Sequence, residues 1–228
     1  INTIFIFSFS NAPNNLANIP VLPTIPSPVI VINILSFIEV IAVIGSLFIL
    51  FSIILVPLHS KLNVLHIAPE NCFISIFKSS KNINYTSGDL FSPLADIKMD
   101  IHKMPFKNNT FDVVLCNHVL EHLDDDIKAL KEIIRVMKNG GFSILQVPFY
   151  YPLPNNTLED KTIIKASERE KAYGQSDHLR KYGKDYKKRL SSVGFKVDEN
   201  KYINRLSEEE QKKYGLSKNE IIYIGIKN

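Results

Sequence analysis

Charge is what the first quarter of this chain lacks. Of 228 residues, the first sixty hold one charged side chain, Glu39, and the first lysine is Lys61. All 27 Lys and Arg, and all but one of the 23 Asp and Glu, therefore lie in the remainder. No basic segment precedes the apolar stretch, which argues against a secretory signal peptide. Cysteine is scarce as well: Cys72 and Cys116 sit in apolar contexts with no C-x-x-C partner. That pattern excludes a disulfide framework and a cysteine-ligated zinc, and reads as buried thiols in a reducing compartment. There is no internal repeat, so solenoid architectures are excluded. The basic residues are spread rather than massed. The densest group, around Lys184 to Arg189, reads as a solvated helix face; no recognisable nucleic-acid module accompanies it, and no nucleic-acid partner is expected.

Residues 1–28 mix Ile and Phe with Asn, Ser and five prolines, a composition that resists helix and central strand alike. Residues 29–58 are almost wholly apolar, and a nineteen-residue uncharged helix from Val40 to Leu58 would span about 28 Å, one hydrocarbon core. The direct physical reading is a membrane anchor. With His59 and Lys61 at its C-terminal end, the following domain would lie on the cytoplasmic side. The same charge-free composition is also what a wrong reading frame of AT-rich DNA encodes, and a soluble buried element is a third reading of residues 1–60. The boundary to the second region is placed at residue 61.

From residue 62 the pattern alternates between strand and helix. Strands are expected at 62–67, 83–87, 97–101, 111–116, 142–147, 195–197 and 221–226. Helices are expected at 69–77, with Pro69 in the first turn, at 125–137, stopped by Gly140 and Gly141, and at 186–193. Such alternation implies a doubly wound α/β domain with a seven-stranded, mostly parallel sheet.

In open α/β sheets, ligands bind outside the carboxyl ends of the strands. The fourth strand delivers Asn117 and His118 to that edge. Two chemistries compete there. His118 can act as a general base, or the run His118-x-x-Glu121-His122 can be taken as an inverted zinc-peptidase motif. The peptidase needs both histidines on an established helix, whereas here the first follows a strand directly. No metal is therefore expected.

Five blocks in fixed order carry a further signal: residues 64–70, Gly88-Asp89, 99–106, 111–122 and 130–145. Together they resemble the class I S-adenosylmethionine-dependent methyltransferases of the type-11 kind. The resemblance implies a Rossmann-like fold and S-adenosyl-L-methionine as cofactor. It implies that Asp89 accepts the ribose hydroxyls, that Asp100 receives the adenine amino group, and that Ile101 packs on the ring. At the first strand's turn, His66 stands for the family's acid, Ala68 for its first Gly and Glu70 for its second. His66, Ala68, Pro69 and Glu70 would then surround the cofactor's amino acid part, with Asn117 beside them. A capping role for Asp89, a surface position for Asp100 and a helix-dipole role for Glu70 are the structural alternatives.

After the fifth strand, Tyr150 and Tyr151 are candidates for an acceptor pocket. Asp177 to Tyr182 brings together a carboxylate, His178 and Arg180, candidates for catalysis and substrate binding. The expected reaction is methyl transfer to a small-molecule or glycan-like acceptor, with His118 as base. A binding module that keeps the fold without catalysis is the runner-up, because the cofactor loop departs from the family pattern.

Overall fold

The structure is a computed structural model that describes residues 61–213, 216, 219 and 221–228. The expected anchor at 29–58 lies outside the described residues. Among the described residues, no helix is long and apolar enough to cross a membrane.

The chain order is β1 (Leu62–Ile67), α1 (Asn71–Ser79), β2 (Ile83–Asp89), β3 (Ile97–Lys98), β4 (Phe111–Asn117), α2 (Asp126–Val136), β5 (Met137–Gln146), α3 (Ala166–Tyr173), α4 (Tyr186–Ser192), β6 (Phe195–Asn200), α5 (Glu208–Lys213) and β7 (Ile222–Lys227). These strands form one seven-stranded sheet in the order β3-β2-β1-β4-β5-β7-β6. β1 to β5 run parallel, and β7 is antiparallel to both β5 and β6. The chain winds outward from β1 through β2 to β3, then returns to β4 on the other side. The switch point of the sheet therefore falls between the carboxyl ends of β1 and β4, where a ligand crevice is expected.

Alternation along the strands sorts side chains to two faces. Val64, Val113, Leu115 and Ile144 pack with Phe73 and Phe77 of α1. Leu65, Ile67, Val114, Cys116 and Leu145 pack with Leu130, Ile133 and Val136 of α2 and with Tyr186 and Leu190 of α4. Asp125 caps α2, its carboxylate accepting from the Lys128 amide at 2.9 Å.

Four of the differences from expectation have a local reason. α1 begins at Asn71 rather than Pro69, and Glu70 at its N-cap makes no side-chain cap because its carboxylate is engaged elsewhere. β3 stops at Lys98 because Asp100 turns the chain, accepting from the His102 amide at 2.8 Å to cap a 3-10 turn at Ile101–Lys103. α2 ends at Val136, before the glycines, and Met137 already pairs with Phe111. The glycines instead serve a register shift within β5: a Cβ on Gly141 would lie 2.8 Å from the Asp112 carbonyl oxygen. Finally, α3 forms inside the polar insertion, whose charged sequence has little apolar periodicity to announce it.

Candidate active site

The turn after β1 is built around Glu70. One carboxylate oxygen bonds His66 Nε2, and the other accepts from Asn117 Nδ2 at 3.1 Å, joining the ends of β1 and β4. His66 is fully buried, packed edge-on against Phe73 and Phe77, and its Nδ1 meets the Tyr85 hydroxyl at 3.0 Å. Burial pushes the Glu70 carboxyl up, but the hydrogen bond and charge of His66, with the Asn117 amide, outweigh it; Glu70 sits below the ordinary carboxylate range. It is therefore an anion at neutral pH. Asn117 is buried, and its Oδ1 has no hydrogen-bond partner. Such an atom is costly unless a donor arrives.

Ala68 adopts φ +50°, in the left-handed region that favours glycine. This is the position where the resemblance expects the first glycine. Its amide donates to the Gly88 carbonyl at 3.0 Å, tying the turn to β2. Pro69 is buried beside it.

At the end of β2, Asp89 is half-buried, and its Oδ1 accepts from the amides of Phe91 and Ser92, both at 2.6 Å. The carboxylate thus holds its own loop through one oxygen. Asp100 is exposed and pairs with His102, whose amide and ring nitrogen both lie 2.8 Å from Oδ1. Those bonds hold its carboxyl below the usual range. Ile101, expected on an adenine ring, is buried in the apolar core with Met99 and Met104.

Beyond β4 the chain makes a tight turn. His118 has φ +51°, its amide donates to the Gln146 carbonyl at 2.9 Å, and its Nδ1 lies 3.4 Å from Glu121 Oε1. Leu120–His122 is a single 3-10 turn, so His118 and His122 do not share a helix face as the inverted peptidase motif requires. The segment from Asp177 docks directly on this turn, with the Leu179 amide donating to the Glu121 carbonyl at 2.8 Å. His178 is consequently buried against His122, ring centroids 4.8 Å apart, and burial lowers its pKa below the ordinary imidazole value.

Arg180 has a different task from the substrate binding expected of it. Its side chain is 1% exposed, and its guanidinium donates to the carbonyls of Leu120 and Leu123, at 2.6 and 2.5 Å, and to Glu159 at 2.9 Å. It clamps the turn from behind. Tyr150 is half-buried, 6.4 Å from the His178 ring and 5.5 Å from Lys181 Nζ, on the same side as the imidazole cluster. Tyr151 is largely exposed and donates to the Asn219 carbonyl at 3.3 Å.

Sequence reasoning missed two participants. Tyr85 pairs with Val64 across β1 and β2 and so faces the same side as His66; the period-two alternation carried that signal. Glu121 was noticed as part of a motif, but its meeting with His178 depends on a loop that no local pattern positions.

The sheet order defines a doubly wound α/β domain whose switch point lies between the carboxyl ends of β1 and β4, the place where such folds bind ligands. Comparison with known proteins narrows this. Residues 64–145 match the family described as a methyltransferase domain. An uncharacterized protein of Methanocaldococcus jannaschii is 54% identical over 48 residues, 21% of each chain. The ubiquinone/menaquinone biosynthesis C-methyltransferase UbiE of Desulfotalea psychrophila is 43% identical over 42 residues, 18% of this chain and 17% of that one. A solved S-adenosylmethionine-dependent methyltransferase from Archaeoglobus fulgidus shares the fold at 15% identity, with a TM-score of 0.50 over 82% of this chain and 93% of that one. Residues 64–145 thus carry the pattern of a methyltransferase domain, on a fold shared with solved methyltransferases. The matched segments span about a fifth or less of the length of these curated relatives.

Proposed function

We propose that the domain transfers a methyl group from S-adenosyl-L-methionine to a small-molecule or glycan-like acceptor, in a crevice at the carboxyl edge of β1, β2 and β4. The observation that carries the reading is the cradle at the switch point: the anionic Glu70, and the buried Asn117 Oδ1 that has no donor. An ammonium group satisfies both, and the cofactor's amino acid part brings one. Asp89 then takes the ribose hydroxyls, as an acid after the second strand does in dinucleotide folds, and Asp100 the adenine amino group. Ile101 contributes from beneath, as part of the core rather than as an exposed platform.

When bound, S-adenosyl-L-methionine supplies a methyl group on a sulfonium, and its transfer needs alignment and a deprotonated nucleophile more than bond-making machinery. His118 is the candidate base for a hydroxyl acceptor. Its left-handed backbone aims it off the end of β4, and Glu121 at 3.4 Å stabilises the imidazolium that proton uptake creates. His178 and Tyr150 supply the wall beyond it. Neither nucleic acid nor a particular oligomeric state enters this reading, and association with a membrane would come from residues 29–58.

Calorimetric titration of the full chain with S-adenosylhomocysteine, the demethylated product, tests it. Micromolar binding that falls at least tenfold in Asp89→Ala is expected; a folded chain that does not bind refutes the reading in favour of a non-catalytic module. His118→Ala should lower turnover while leaving that affinity unchanged.

A further inference from the structure

Glu121 is the anomaly of this domain. Its side chain is 1% exposed, and neither carboxylate oxygen has a hydrogen-bond partner. A buried carboxylate without donors is expensive, and in practice such groups are paired or coordinate metals. What faces it is a set of imidazoles. His122 Nε2 lies 3.9 Å and His118 Nδ1 3.4 Å from Glu121 Oε1. His178 is buried with an unpartnered Nδ1, and Glu121, His122 and His178 each offer a ligand atom within 4.8 Å of the others.

We infer that Glu121, His122 and His178 form a site for a divalent transition metal, with Zn2+ the best match. Two neutral imidazoles and one carboxylate are a borderline-soft donor set, the composition used by open, catalytic zinc sites. Bonds of about 2.1 Å in a tetrahedron put ligand atoms about 3.4 Å apart. The three groups would close by up to about 1.4 Å, within the reach of rotamer adjustment. The outer shell is also present. His122 Nδ1 lies 3.3 Å from the Asp177 carboxylate. Metal-bound imidazoles are oriented in this way, with the second nitrogen held by a carboxylate or carbonyl. Arg180 fixes the turn that carries two of the ligands, through its bonds to the Leu120 and Leu123 carbonyls. The site is not a closed structural one. Three protein ligands leave a position open, and His122, 33% exposed, marks the way in.

This arrangement differs from the inverted peptidase motif, in which the Glu is a base and both motif histidines are ligands. Here the Glu is a ligand, and the second imidazole comes from the segment after α3. The metal-binding claim is independent of methyl transfer. What the open position takes does rest on that reading: an acceptor hydroxyl, acidified by the metal as bound water is, with His118 beside it. His178 would then be a ligand rather than a base.

The test is equilibrium dialysis of the untagged full chain against Zn2+ with a competing chelator, metal being counted by mass spectrometry and the fold checked by circular dichroism. One Zn2+ per chain is expected. Glu121→Gln and His178→Ala should each lower the affinity by about 100-fold or more. Asp177→Asn, on an exposed side chain that cannot unfold the domain, should lower it by about 10- to 100-fold. A folded chain that retains no Zn2+, or one whose Zn2+ is unmoved by Glu121→Gln and Asp177→Asn, overturns the proposal. S-adenosylhomocysteine binding measured on the same samples keeps failure of this site separate from failure of the cofactor site.

Discussion

Arg180→Met separates a residue that builds the site from one that touches substrate. Methionine keeps an apolar stem of similar reach and removes the guanidinium. The variant strips donors from the Leu120 and Leu123 carbonyls and from Glu159, and leaves Asp126, 3.9 Å from Nε, with less compensating charge. At 1% exposure the guanidinium is unscreened by solvent, and Met cannot admit water to replace it. Breaking a buried ion pair by removing one partner costs about 3–5 kcal/mol. For a domain of this size each kcal/mol moves the unfolding temperature by about 2–4 °C, so a drop of about 6–20 °C is expected. Arg180→Lys retains the charge but cannot fork to two carbonyls and a carboxylate at once, and should fall between the two. Thermal unfolding followed by circular dichroism reads both variants. A midpoint for Arg180→Met within about 2 °C of the parent would refute the clamp and return Arg180 to the substrate-binding role that its sequence neighbourhood suggested.

Three further outcomes follow from other sites. Asp126, buried, accepts from Arg189 Nε and Nη2 at 2.6 Å and from the Tyr182 hydroxyl at 2.7 Å; burial pushes its carboxyl up, but these partners and Arg180 hold it below its ordinary value. Its stabilisation is therefore complete above the unfolded value of about 3.9 and lost as pH falls through the lower folded one. The urea-midpoint gap between the parent and Asp126→Asn should narrow from pH 6 toward pH 3; a constant gap contradicts the assignment. Ala68→Gly removes left-handed strain of about 1–2 kcal/mol, offset by about 0.5–1 kcal/mol of chain entropy. It should raise the urea midpoint slightly and keep S-adenosylhomocysteine affinity, whereas a loss of stability would mean the turn is not strained. Burial and the nearby Glu70 charge push the Cys72 thiol up to about 11, and burial raises Cys116 further. Neither should react with iodoacetamide at pH 8 until the chain is denatured, and fast labelling of Cys72 in the native state would show that the α1 face is open.

The sheet was legible because its strands announce themselves by apolar runs of the right length, and because parallel neighbours demand the helices found between them. Boundaries failed where a side chain rather than the backbone decides the end. Glu70 is spent on His66 and Asn117 and so does not open α1 at Pro69; Asp100 spends its carboxylate on the His102 amide and cuts β3 to two residues. The glycines after α2 read as a helix stop, yet they serve a register shift against β4, which only the paired strand reveals. Of the site, residues tied to strand ends arrived where expected, since the sheet places them: Glu70, Asp89, Asn117 and His118 all stand on the carboxyl edge. Residues 177–182 have no such tether in the sequence. Their positions follow from tertiary bonds, the Leu179 amide on the Glu121 carbonyl and the Arg180 fork on the same turn, and so a guanidinium that looked available for substrate proves to be structural.

The unsatisfied polar atoms add an argument that no motif supplies. Folded chains pair nearly all buried polar groups, so a cluster of buried orphans calls for a physical account. Asn117 Oδ1, both Glu121 oxygens and His178 Nδ1 are orphans, and all belong to the end of β4 or to the segment docked on it. They divide by chemistry. Asn117 stands with the anionic Glu70 and calls for a cation with hydrogen-bond donors. Glu121 stands with imidazoles and calls for a cation that accepts lone pairs. On the two proposals above, one strand end would present two cation sites, an organic ammonium toward β1 and a metal ion toward the 177–182 segment. The first of these sites stands if the second fails, because Glu70 and Asn117 share no ligand with Glu121, His122 or His178.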